Sequence, residues 1–150
     1  MATYTADVNW TLEEGEDFLR GRYSRGHTVS FDGGVEVAAS ASPHVVGKWA
    51  VNEAVDPEEM LVAALTSCHM LSFLHVAREA GFTVAGYRDH AEGVMTEIAP
   101  GRQAITKVVL NPQIGWTGSA PDKEALGHMH DEAHEICFIA NSVKTEVTVV

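Results

Sequence analysis

Asp56-Pro57-Glu58-Glu59-Met60-Leu61-Val62-Ala63-Ala64-Leu65-Thr66-Ser67-Cys68 carries the strongest local signal in the chain. Asp56 is an N-cap residue, Pro57 sits at the first helical position where its missing N–H costs nothing, and Glu59 lies three residues past the cap, where its carboxylate closes a capping box. From Met60 to Ala80 there is neither proline nor glycine, and Gly81 supplies the stop. The pattern predicts one helix of about 24 residues, long against the usual length. Its segment Leu61-Val62-Ala63-Ala64-Leu65 is apolar on every side, so the helix is expected to be buried all round.

On the N-terminal side, Tyr4, Ala6, Val8 and Trp10 alternate with polar residues, the period of a half-buried strand over residues 4–10. An acidic loop follows. Strands are expected at His27 to Phe31 and Val35 to Ser40, separated by the hairpin turn Asp32-Gly33-Gly34. Residues 41–55 show no period and read as a connection. On the C-terminal side, two long extended segments, Thr83 to Glu97 and Gln103 to Trp116, flank the turn Ala99-Pro100-Gly101. Pro121 and Asp122 open a second helix running to Ile139, and Val143 to Val150 closes the chain as a strand. Strands, helix, strands, helix, strand is the order of an α+β fold in two layers, not of a parallel βαβ array.

The chain has 150 residues, 45% of them hydrophobic, which is enough for one core and one domain over residues 1–150. Ten basic against 21 acidic residues leave a net charge of −11, which repels polyphosphates and anionic lipid surfaces. Nucleic acid and membrane surface are therefore not expected as partners. Asp7, Glu13, Glu14, Glu16 and Asp17 leave no apolar leader among the first twenty residues, and no stretch reads as a membrane span. A cytoplasmic location is the expectation, and two cysteines in a reducing compartment are not read as a permanent disulfide.

Cys68 falls midway along the long helix, beyond the reach of the helix dipole. By itself, a cysteine on a buried helix reads as a small core residue. The same holds for Cys137 in Ala133-His134-Glu135-Ile136-Cys137-Phe138-Ile139, and spacing does not show whether the two sulfurs meet.

The run from Asp56 to Cys68 resembles the signature of the OsmC/Ohr proteins, in which an Asn-Pro-Glu cap leads through small apolar residues to a nucleophilic cysteine. The stretch Ala133 to Cys137, followed by Asn141, Lys144 and Val147, is similar to the second cysteine segment and closing strand of that family. The resemblance implies antiparallel sheets around a long buried helix, in an intertwined homodimer. It also implies a peroxidase in which Cys68 reduces an organic hydroperoxide and becomes a sulfenic acid, and Cys137 then condenses with it to a disulfide. An external dithiol, a lipoyl group or another thiol, would complete the cycle without metal, flavin or nicotinamide.

The family also uses an arginine at the thiolate, oriented by the glutamate of the cap motif, here Glu58. Glu58 lies about 15 Å along an ideal helix from Cys68, so only a long cation could couple the two. The family's two placements of that cation point to Arg25, ahead of the second strand, and to Lys48; Arg25 is the choice, because lysine lacks the planar fork, with Arg22 and Lys48 in reserve. His69 and Phe138 depart from the aromatic and the proline that usually follow the two cysteines.

Other chemistries compete. His130, His134 and Cys137 share a helical face, and His128 or His69 would complete four metal ligands. A cysteine with His69 or His134 as base would serve acyl transfer. An OsmC-like fold lined by residues such as Trp49, Met70 and Phe73 would also bind hydrophobic small molecules without any reaction at sulfur.

Overall fold

The computed structural model describes residues 1–150, which form two compact units, Met1–Met60 and Leu61–Val150. In the first, strands β1 (Ala6–Asn9), β2 (His27–Phe31) and β3 (Glu36–Ala39) make an antiparallel sheet in that order. Val8 pairs with Val29, and Val29 with Val37. The residues expected to be a bare connection instead hold a single-turn helix α1 (Pro43–Val46) and a 3₁₀ turn (Gly47–Trp49). They fold back on β3 through Ser40 N–H to Val55 O and Val55 N–H to Ala38 O, both 3.0 Å. The strand expected to be half-buried is exposed along its whole length, because no layer of this unit covers it: Val8 is 65% exposed.

Helix α2 (Pro57–Glu79) begins and ends as its residues dictate. Glu59 N–H donates to Asp56 Oδ1 at 2.8 Å, and Asp56 N–H donates to Glu59 Oε2 at 3.0 Å, a closed capping box. At the other end Gly81 takes φ +82°, and Phe82 N–H reaches Ala77 O while Gly81 N–H reaches Arg78 O, a Schellman closure. The helix is not buried all round. Leu65, His69, Phe73, Val76 and Ala77 form its buried stripe, whereas Ala64, Ser67 and Leu71 face outward. Length and hydropathy alone would let this helix cross a membrane, contrary to the sequence expectation, since Met60 to Ala77 contains no Asp, Glu, Lys or Arg. Its buried stripe is instead packed in a protein core.

In the second unit, the two long extended segments each break once. The breaks give β4 (Thr83–Asp89), β5 (Glu92–Ala99), β6 (Arg102–Leu110) and β7 (Pro112–Thr117), with β4 antiparallel to β7 and β5 antiparallel to β6. Asp89 holds the break: its carboxylate accepts Asn111 N–H at 2.7 Å and the Thr66 hydroxyl from α2, and Pro112 has no N–H to continue the ladder. The closing strand β8 (Glu146–Val149) is shorter than expected and pairs in parallel with β6, the exception in an otherwise antiparallel arrangement.

Two apolar clusters fill this unit. Phe73, Val76 and Ala77 of α2 pack with Met129 and Ala133 of helix α3 (Lys123–Ile136) over β4 and β7. Leu65 packs with Val108 and Leu110 of β6. Strand β5 comes so close to α2 that a Cβ on Gly93 would lie 2.6 Å from Val62 Cγ2. The fold is α+β, with sheets packed on a long helix, as the sequence order indicated.

Candidate thiol redox site

Cys68 projects from α2 between the buried Leu65 and His69 and is itself half-buried. Cys137 is 1% exposed and is not inside α3, as the sequence pattern indicated, but at its C-cap, in extended conformation (φ −72°, ψ 109°). The helix stops short because its last carbonyls find other donors. Cys137 N–H reaches His134 O at 3.2 Å and Asn141 Nδ2 donates to Glu135 O at 2.8 Å, while Asn141 N–H takes Cys137 O into the following 3₁₀ turn.

The two thiols, remote in sequence, are neighbours: the Cys68 thiol lies close enough to act on that of Cys137, and both are free. Burial pushes the Cys137 thiol up from its ordinary value, and the Cys68 thiol beside it pushes the same way; the N–H groups of Ala140 and Ile139, aimed at the sulfur, oppose this in part. Ala140 N lies 3.4 Å from Sγ. Cys137 is thus held protonated, buried and in contact with a more accessible thiol, the arrangement suited to a resolving partner and unsuited to first attack on a peroxide.

Beside the thiols lies a buried histidine pair. His69 Nε2 and His130 Nδ1 are 3.0 Å apart, the rings are nearly parallel, and the His130 ring stacks on Phe73 with centroids 4.3 Å apart. One ring must donate and the other accept, so the bond requires that at least one be neutral. Burial pushes His69 down to about 4, helped by His130 and His134 and opposed by Asp89. Burial likewise lowers His130, against Asp131 and Asp89. His69, a departure by sequence, thereby supplies a flat ring to a stack and ties α2 to α3 one residue from Cys68. In the sequence His69 and His130 came together only as candidate metal ligands; the hydrogen bond between them depends on how α2 and α3 pack, since they share no local motif.

The competing chemistries find less here. His130 Nδ1 is committed to His69, and no three His, Cys, Asp or Glu side chains converge as metal ligands would. Neither cysteine makes a side-chain hydrogen bond to a histidine, which acyl transfer would need. Phe73, a proposed lining residue, is fully buried core. A cavity of about 860 Å³ beside α3, lined in part by Trp116, Leu126, His130 and His134, includes neither sulfur.

The remaining predicted residues belong to the first unit. Arg25, just ahead of β2, is half-buried; its guanidinium carbon lies 3.4 Å above the Tyr23 ring centroid and Nη1 donates to Tyr23 O. Glu58 stands in the first turn of α2 and forms no ion pair with Arg25. Arg22 and Lys48 are exposed; Arg22 pairs through its backbone with Asp17, and Lys48 Nζ lies 5.1 Å from the Trp49 ring centroid.

Residues 50–150 match the family model described as OsmC-like protein. Among solved structures, an OsmC-like protein of unknown function from Vibrio cholerae is 48% identical with a TM-score of 0.95, covering 100% of this chain and 99% of that one. An organic hydroperoxide resistance protein from Elizabethkingia anophelis shares the fold at 19% identity and a TM-score of 0.73, covering 99% and 96%. Another from Legionella pneumophila does so at 18% and 0.71, covering 99% and 97%. No curated protein matches the chain.

Proposed function

Because the chain belongs to the OsmC-like protein family, we propose that it is a thiol-dependent peroxidase, acting as a single domain over residues 1–150, that reduces organic hydroperoxides to alcohols. The observation that carries this reading is the contact between Cys68 and Cys137, two free thiols of unequal exposure. The Cys68 thiolate attacks the terminal oxygen of the hydroperoxide. The O–O bond breaks, the alkoxide leaves and takes a proton to become the alcohol, and Cys68 is left as a sulfenic acid. Cys137 then attacks the Cys68 sulfur; the S–S bond forms, the S–O bond breaks, and hydroxide departs with the Cys137 proton as water. An external dithiol, a lipoyl group or a comparable thiol, reduces the disulfide in the cytoplasm.

The thiolate and the peroxide need a cation, and Arg25 is assigned that role because its guanidinium has donors to spare and no carboxylate partner. Glu58 is assigned as its orienting carboxylate once substrate or a second subunit displaces the Tyr23 contact. A homodimer is part of the proposal. The outward stripe of α2, with Leu71 61% exposed, and the uncovered β1 are surfaces that a second copy would bury.

The test is consumption of cumene or tert-butyl hydroperoxide with dihydrolipoamide as reductant. Turnover is expected in the wild type and a loss of at least about a thousandfold in Cys68→Ser. Undiminished consumption in Cys68→Ser would sink the proposal.

A further inference from the structure

The cavity of about 860 Å³ beside α3 is lined only by residues of the second unit and by neither thiol. Its walls follow from local periodicity. Ile114 and Trp116 project from one face of β7, and Val147 and Val149 from one face of β8, as residues two apart in a strand do. Leu126, His130 and His134 stand four apart along one stripe of α3. Strand β8 pairs with β6 and not with β7, so the two strands are unbonded to each other and a hollow is left, bounded by both strands and the helix.

One lining residue is buried, His130 at 9% exposure. Its ring is fixed twice: it stacks on Phe73 with centroids 4.3 Å apart, and its Nδ1 lies 3.0 Å from His69 Nε2. The geometry also fixes where the protons sit. His69 Nδ1 is buried and has no hydrogen-bond partner. Were it the protonated nitrogen, an N–H would be stranded without an acceptor, the rarer and costlier orphan. The His69 proton is therefore on Nε2 and is donated to His130 Nδ1, which leaves the proton of His130 on Nε2. That Nε2 has no partner in the chain and remains accessible, on a side chain that lines the cavity. Burial holds His130 below its ordinary value, against Asp131 and Asp89. The ring stays neutral near pH 7, and its Nε2–H is a donor without charge.

The remaining walls narrow the ligand. Trp116 and the strand side chains offer apolar surface, and the volume lies in the upper part of the usual range for small-molecule sites, enough for more than one ring. Asp131 and Glu135 stand at the exposed rim against the single ammonium of Lys123, in a chain of net charge −11, which disfavours an anion. The buried end offers an N–H and no carboxylate, which leaves a cationic head unsatisfied there.

We infer that this cavity binds a neutral, largely apolar compound through one acceptor oxygen, the carbonyl of a ketone, ester or amide, placed on His130 Nε2–H with its rings against Trp116 and the β8 valines. The inference stands apart from the thiol chemistry and does not depend on it.

Benzophenone, a neutral two-ring ketone, and diphenylmethane, the same shape without the oxygen, are the probes. Long-range proton–nitrogen correlation spectra of the histidine rings should show His130 protonated at Nε2 and bare at Nδ1; the opposite tautomer overturns the inference. Benzophenone should shift the Nε2 resonance saturably. In His130→Phe, which keeps a ring on Phe73, the ratio of benzophenone to diphenylmethane affinity should fall by about three- to tenfold, and an unchanged ratio overturns the inference. Because that variant also strands His69 Nε2 and costs stability, a second one leaves the histidine pair intact. Gly127 lines the cavity and a Cβ there meets nothing within 4 Å, so Gly127→Phe adds a ring at the cavity wall and should weaken both probes by about tenfold or more. Irradiated benzophenone, which inserts into nearby C–H bonds, should label the peptides of β7, α3 and β8, and lose that labelling in Gly127→Phe. Labelling elsewhere, no saturable binding, or a cavity covered by a second copy in solution and closed to benzophenone overturns the inference.

Discussion

The two units differ in what they bury. Residues 61–150 enclose Leu65, Phe73, Val108, Leu110, Met129 and the Cys137 thiol almost completely, whereas residues 1–60 bury only Val29 and Ala39 among their apolar side chains and leave Tyr4, Val8, Phe18 and Leu19 in solvent. The cysteine pair sits in the unit with a core, where close packing holds the Cys68 thiol beside the buried Cys137 thiol. Arg25 sits in the unit without one, half-buried over the Tyr23 ring. A packed part of the chain thus holds the paired thiols, and an open part holds Arg25.

The comparison breaks if stability does not follow burial. Phe73→Ala, at the centre of one apolar cluster, should lose about 3–5 kcal/mol in urea denaturation, while Phe31→Ala, 42% exposed at the end of β2, should lose less than about 1 kcal/mol. Equal losses would mean that the open unit is covered in solution and that the contrast belongs to the isolated chain. A smaller effect concerns the first unit. Arg25→Lys keeps the charge but not the fork, and should lower kcat/KM for hydroperoxide by about tenfold or more while leaving the urea midpoint nearly unchanged.

A further effect concerns pH. His69 is neutral when folded near neutral pH, with its value pushed down to about 4 from 6.5, so well above pH 6.5 it is uncharged in both folded and unfolded chains. As pH falls from 6.5 towards 4, the unfolded chain binds a proton that the folded one refuses, and stability declines across that window before levelling off. His130, lowered by burial, adds in the same direction. The urea midpoint should therefore drop between pH 6.5 and 4, with a shallower drop in His69→Gln; identical slopes would remove the histidine pair from the account.

Local signals were legible in the sequence, and non-local ones were not. The boundaries of α2 follow from Asp56, Pro57, Glu59 and Gly81, whose effects act within a turn of themselves. The break in the long extended segments was hidden because Asp89 makes it through Asn111 and Thr66, both about twenty residues away. Cys137 falls outside its helix because Ala140 and Asn141 offer better partners than another helical turn, a competition that apolar periodicity does not report. The alternation in β1 indicated a face that requires cover and was silent on what covers it. The motifs singled out the two cysteines and Glu58. The sulfur contact and the pairing of His69 with His130 came from how α2 and α3 pack.

The central claim is that Cys68 and Cys137 are a working redox pair. The most direct measurement is peptide mapping by mass spectrometry of the reduced protein after one equivalent of cumene hydroperoxide, with free thiols alkylated. The account predicts a cross-linked peptide joining Cys68 to Cys137 at the expense of two hydrogens, and in Cys137→Ser a Cys68 carrying added oxygen. Both cysteines recovered fully alkylated and unoxidised after exposure would contradict it.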